Sequence, residues 1–161
     1  MIRWSCRGWR AFRLALCAAL APLVAHAETD ACTLVTPADV GAAIHVAVGA
    51  GTHVTPTFVK TCTWMPTVSA SVRAVTVNLQ TAAFYDGAKK MAGRAATTMA
   101  GAKSKPASIG DDGYYDIVGE MVTLLFKKGG ASVKVAVYAQ LTVDEIEAME
   151  LAIGKQVAAK L

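Results

Sequence analysis

In three segments between residues 75 and 137 of this chain, apolar residues recur at every second position. Val75, Val77 and Leu79 alternate with Thr76 and Asn78; Val122, Leu124 and Phe126 alternate with Thr123 and Leu125; Val133, Val135 and Val137 alternate with Ser132, Lys134 and Ala136. Side chains on a strand point to opposite faces in turn, so each segment predicts a half-buried strand. Lys127-Lys128-Gly129-Gly130 separates the last two and supplies glycines for positive φ, which predicts an antiparallel hairpin. Shorter strands are expected over Thr61 to Met65, holding Cys62 and Trp64, and over Tyr114 to Val118, before a Gly119-Glu120 turn.

Elsewhere the period changes to that of a helix. In Val35-Thr36-Pro37-Ala38-Asp39-Val40, Thr36 is the N-cap, Pro37 opens the first turn, Asp39 closes the capping box and Val35 staples to Val40. The helix is expected to run to about His45. Leu141-Thr142-Val143-Asp144-Glu145-Ile146 repeats the device, and Ile146, Met149, Ile153, Val157 and Leu161 give the helix that follows one apolar face to the C-terminus. A middle helix is expected from about Ala82 to Ala92, with Phe84, Ala88 and Met91 on one stripe and Gly87 weakening it. Gly49 to Thr57 and Gly93 to Ser108 have the composition of loops. These elements predict an α+β fold, a single domain with an antiparallel sheet of about five strands and about three packed helices.

The first 27 residues stand apart from this pattern. Arg3, Arg7, Arg10 and Arg13 precede an apolar run from Leu14 to Val24, and Ala25-His26-Ala27 is a small-x-small cleavage site. These features describe a cleavable export signal, leaving residues 28–161 as one domain in the periplasm or outside the cell. The run is shorter than the roughly 20 residues that span a bilayer, and neither Cys17 nor Cys32 follows a lipidation pattern, so no stable membrane anchor is expected after cleavage.

Removal of that segment changes the charge. The full chain has 16 basic and 12 acidic residues and a net charge of +4, but its four signal arginines leave and every acid stays. A formally neutral remainder argues against nucleic acid as a partner. Cys6 and Cys17 leave as well, so Cys32 and Cys62 are expected to form one disulfide that staples the N-terminus to the first strand. In the chain-entropy model a bridge across about 30 residues stabilises by roughly 3 to 4 kcal/mol. The spacing is far from the C-x-x-C of catalytic dithiols.

Catalytic chemistry has few candidates. His45 and His53 are the histidines left, and neither lies in H-E-x-x-H or near a G-x-S-x-G serine. A copper site would draw on them together with Met65, Met91, Met99 or Met121. Gly49-Ala50-Gly51 lacks the third glycine of a dinucleotide loop, and Gly101-Ala102-Lys103-Ser104 has an extra residue where a phosphate loop needs Gly directly before Lys. Asp111 and Asp112, next to Gly113, have the composition of a capped turn; a glycosidase-like pairing with Asp116 or Glu120 is the alternative. No cofactor is expected.

Ligand contact has more. Lys89, Lys90, Arg94, Lys103 and Lys105 fall between Asp86 and Asp111 with no intervening acid, which suggests a cationic loop facing an anionic envelope polymer, a lipid headgroup or an acidic protein. Trp64, Tyr114 and Tyr115 are further contact candidates, although Trp64 shares a strand face with Cys62 and suits packing on the bridge.

Cys32-Thr33-Leu34-Val35-Thr36-Pro37-Ala38-Asp39-Val40, Thr61-Cys62-Thr63-Trp64 and Ile109-Gly110-Asp111-Asp112-Gly113-Tyr114-Tyr115 together resemble small bacterial secreted and lipoprotein domains of unknown function. That resemblance implies an α+β domain with this bridge and carries over no catalytic residue. The function expected is a non-catalytic exported module that binds an envelope ligand or protein. A small envelope hydrolase built around His45 or His53, and a periplasmic copper-binding protein, are the alternatives.

Overall fold

A computed structural model describes residues 29–161, so the export signal expected at Met1–Ala27, with Cys6 and Cys17, lies outside the described residues. Both capping boxes close. Asp39 accepts the Thr36 N–H at 3.0 Å and donates its own N–H to Thr36 Oγ1, opening α1 (Pro37–Ile44), which ends at His45 in the left-handed region with φ 57°. Thr142 and Glu145 repeat the exchange at the start of α3 (Val143–Ala158).

Between these helices lie β1 (Thr52–His53), β2 (Thr61–Trp64), β3 (Val72–Thr81), α2 (Ala82–Thr98), β4 (Ala102–Pro106), β5 (Asp112–Val118), β6 (Met121–Lys128) and β7 (Ala131–Ala139). The strands form one antiparallel sheet in the order β1-β2-β3-β7-β6-β5-β4. Among the described residues the fold is α+β with three α-helices, and the sheet has seven strands where the alternation pattern predicts about five. The two additional strands are its edges. β1 has two residues, and β4 reads Ala-Lys-Ser-Lys-Pro, a polar sequence without apolar alternation. An edge strand is held by one ladder, and lysine and proline there discourage pairing with another chain.

The stretch expected as a loop from Gly93 to Ser108 is therefore mostly the end of α2 and then β4, and of the residues expected in a cationic loop Lys89, Lys90 and Arg94 stand on the helix and Lys103 and Lys105 on the strand. Gly93 does not stop the helix because it sits on the exposed side with open space around it. β6 and β7 form the expected hairpin around Gly129 and Gly130, with Gly129 at φ 56°.

Alternation gives the sheet two unlike faces. On the first, Val77, Val135, Leu124 and Phe126 are fully buried and meet Val40 and Ile44 of α1 and Ile146, Ile153 and Val157 of α3. At Gly154 the helix comes close to the sheet: a Cβ there would stand 2.8 Å from both Leu124 Cδ2 and Ile109 Cδ1. The Cys32–Cys62 disulfide is formed and ties the short turn at Ala31–Thr33 to β2. Trp64 is buried in the same core. Glu150 of α3 is buried among these residues, and its Oε1 accepts the Val137 N–H at 3.0 Å where the β6–β7 ladder stops.

Among the described residues, α2 is the helix that packs on the second face. Tyr85 and Ala92 of the helix pack on Tyr114 and Leu125 in a small separate cluster, with the Tyr85 and Tyr114 rings edge to face at 5.5 Å. No helix among the described residues is long and apolar enough to cross a membrane.

Candidate functional site

A strand register makes the second face polar beyond α2. Thr61, Asn78 and Lys134 are cross-strand neighbours, as are Thr63, Thr76 and Ala136. Asn78 donates to Thr61 Oγ1 and Gln80 donates to Asn78 at 2.6 Å, so this surface satisfies much of its own hydrogen bonding. α2 is anchored at one side of it. Lys89 pairs with Asp112 at 2.6 Å and Lys127 reaches Asp86 at 3.4 Å, while both ammonium groups lie over the Tyr85 ring at 5.7 and 5.4 Å.

Between the flank of α2 and β5 runs a groove of about 490 Å³, lined by Phe84, Ala88, Met91 and Ala95 of the helix and by Asp116 and Val118 of the strand. Its volume falls within the range of small-molecule sites, about 300–1,000 Å³. Phe84 is 46% and Met91 71% exposed, far more than the core-facing stripe expected from their spacing. The helix turns Tyr85 and Ala92 inward instead, which places Phe84, Ala88 and Met91 on its side wall. A smaller depression of about 260 Å³ continues the surface over Met121, Thr123, Lys134 and Ala136 to Tyr138 and Arg73. It adjoins the groove through the ladder pairs Asp116–Thr123 and Val118–Met121.

Asp116 is the one ionisable residue in the groove lining. Burial pushes its carboxyl above the ordinary range, and the Lys134 charge pulls it part of the way back. The cations near the groove divide into two kinds. Lys89 and Lys127 are paired with acids, whereas Lys90 and Arg94, one helical turn apart on the outer side of α2 beside Met91, have no acidic partner among the described residues.

The other sequence candidates lie elsewhere. Lys103 and Lys105 are on β4 opposite Ile117 and Tyr115, so they belong to the first face; Lys105 forms an ion pair with Glu147, which raises its pKa. Trp64, Tyr114 and Tyr115 are interior, at 0%, 2% and 4% exposure. The Tyr115 hydroxyl donates to the Glu147 carbonyl at 3.0 Å, and burial pushes the Tyr114 and Tyr115 phenols up to about 12. Asp111 caps the hairpin by accepting the Gly129 N–H at 2.7 Å, and Asp112 is held below the carboxylate range by Lys89.

His45 closes α1, and His53 stands beside the disulfide with its Nδ1 3.1 Å from the Thr61 carbonyl oxygen. Among the described residues no hydrogen bond joins either histidine to a serine or threonine hydroxyl.

Phe84, Ala88 and Met91 are legible in the sequence as a stripe, but not their direction. The available signal is the conflict between that stripe and Tyr85 with Ala92, since one narrow face cannot bury both sets. Asp116 and Val118 reach the groove only through the pairing of β5. Comparison with protein-family models, curated proteins and solved structures found no match.

Proposed function

We propose that this chain is an exported, non-catalytic binding module whose ligand is an amphiphile with an apolar body and an anionic head. The observation that carries the reading is an apolar groove along α2, on a helix whose exposed Lys90 and Arg94 form no ion pair among the described residues. The body would lie along Phe84, Ala88, Met91 and Val118, and the head would meet Lys90 and Arg94. Burying apolar surface supplies most of the affinity, and the two cations select the sign of the head. Asp116, the ionisable residue of the groove lining, has a carboxyl that burial pushes up toward its neutral form, so it opposes an anionic ligand less than an exposed acid would. The Cys32–Cys62 bridge suits an oxidising compartment, periplasmic or extracellular, and membership of the small bacterial secreted domains that the sequence resembles is part of the same proposal.

The test is titration with a fluorescent fatty acid and, in parallel, an uncharged alcohol of the same chain length. Saturable binding is expected for the acid. Met91→Asp, a change at an exposed position, should weaken both ligands by roughly tenfold or more. Lys90→Ala with Arg94→Ala should weaken the acid alone. Failure of the acid to saturate, or indifference to Met91→Asp, would overturn the reading.

A further inference from the structure

Apart from the groove, one group of side chains among the described residues has the composition of a metal centre, and it surrounds the disulfide. Asp30, two residues before the half-cystine, accepts the Cys32 N–H at 2.7 Å. The β1–β2 register sets His53 opposite Cys62, and His53 Nδ1 lies 3.6 Å from Cys32 Sγ. One ligand atom from each of Asp30, Cys32 and His53 falls within 4.8 Å of the others, and all three residues are partly exposed. The Cys62 sulfur joins the group through its bond to Cys32.

While the bridge is closed neither sulfur is a thiolate, and a disulfide is a poor donor to a divalent ion. Reduction by a dithiol changes the donor set. The S–S bond takes up two electrons and two protons to give two thiols, and the dithiol leaves as its own disulfide. Two thiolates and an imidazole are a zinc set, as in catalytic centres that keep a fourth position open.

Bond lengths of about 2.3 Å to sulfur and about 2.05 Å to nitrogen, at a tetrahedral angle, place S and N about 3.6 Å apart. Cys32 Sγ and His53 Nδ1 already stand at 3.6 Å. The other ring nitrogen, Nε2, faces Asp30 Oδ2 at 3.3 Å, the position of a carboxylate that orients a ligating histidine. The contact between Nδ1 and the Thr61 carbonyl oxygen at 3.1 Å is the one that metal binding would replace.

We propose that the reduced chain binds Zn²⁺ through Cys32 Sγ, Cys62 Sγ and His53 Nδ1, with Asp30 holding the imidazole from behind, so that bridge and metal exclude each other. Binding releases the two thiol protons. The fourth position is open to water on the exposed side of Cys32 and His53. The proposal is independent of the groove, and it differs from the copper site expected from sequence in needing neither His45 nor a methionine.

The test is anaerobic titration of the phosphine-reduced chain with Co²⁺, a visible stand-in for zinc, followed by Zn²⁺ displacement, with far-UV circular dichroism to follow the fold. One equivalent of cobalt with thiolate charge-transfer and tetrahedral bands is expected, and the bridged chain should show none. His53→Ala should lower the affinity by roughly 100-fold, Asp30→Asn by roughly tenfold, and His45→Ala should leave it unchanged. Absence of stoichiometric uptake by the reduced chain, folded or unfolded, overturns the proposal. Equal affinities in His53→Ala and His45→Ala would also overturn it, because they would mark capture by two thiolates alone.

Discussion

Two neighbouring rows of the sheet run through the same strands and meet different surroundings. Cys62, Val77, Val135, Leu124 and Tyr115 form one row and are all buried in the core beneath α1 and α3. One residue along, Thr61, Asn78, Lys134, Leu125 and Tyr114 form the next row on the opposite face. There α2 covers only Leu125 and Tyr114. The backbone is shared, so the difference comes from side chains and from how much helix each face receives. The closed face concentrates the apolar burial that stabilises the domain, which leaves the half-covered face able to present a groove without much loss of stability.

Truncating one aromatic on each face breaks this comparison most directly. Phe126 is fully buried on the closed face, and Phe126→Ala should cost about 3–5 kcal/mol in denaturant unfolding. Phe84, at 46% exposure on the groove wall, should lose under about 1 kcal/mol as Phe84→Ala, with the effect appearing in ligand titration instead. Similar losses at the two sites would mean that α2 is as much a part of the core as α3.

The next largest effect is expected at Glu150, a fully buried acid of the closed face. Burial pushes its carboxyl up to about 8, against the pull of the Val137 and Leu124 amides. The unfolded chain loses this proton from its ordinary value of 4.5, so between there and about pH 8 the unfolded state binds fewer protons. Stability therefore falls as pH rises through that window, by on the order of a few kcal/mol in all. Glu150→Gln should match the parent at pH 4 and exceed it at pH 8, as read from urea midpoints. A parallel pH slope in both proteins would show that Glu150 is not the titrating group.

A smaller effect sharpens the boundary between the core and the disulfide. A Cβ at Gly51 would stand 2.5 Å from Cys62 Sγ and 2.8 Å from Trp64 Nε1. Gly51→Ala should cost about 1–3 kcal/mol through overpacking. Reducing the bridge should shrink that penalty, because a freed sulfur can move away; thermal unfolding with and without reductant measures both.

Much of the closed face is legible in short stretches of sequence. The alternation in Val75–Leu79, Val122–Phe126 and Val133–Val137 marks strands, and the Thr36 and Thr142 capping boxes mark helix starts, because these signals act over a few residues. The Cys32–Cys62 pairing follows from there being two cysteines in residues 28–161. The edge strands are hidden, since β1 and β4 lack apolar alternation and exist through pairing with β2 and β5.

The groove is less accessible still. Its helical wall is present as the stripe Phe84, Ala88 and Met91, while Asp116 and Val118 join it only once β5 lies beside α2. Local sequence by itself determined the α+β class, the helix starts, the main strands and the disulfide, because caps and periodicities are short-range and steric. The tertiary structure alone decided which side of α2 met solvent, where Lys90 and Arg94 stand relative to Asp116, and that His53 and Asp30 flank the bridge. Those arrangements are set by the register of strands distant in sequence, and by the competition of helix faces for one limited apolar surface.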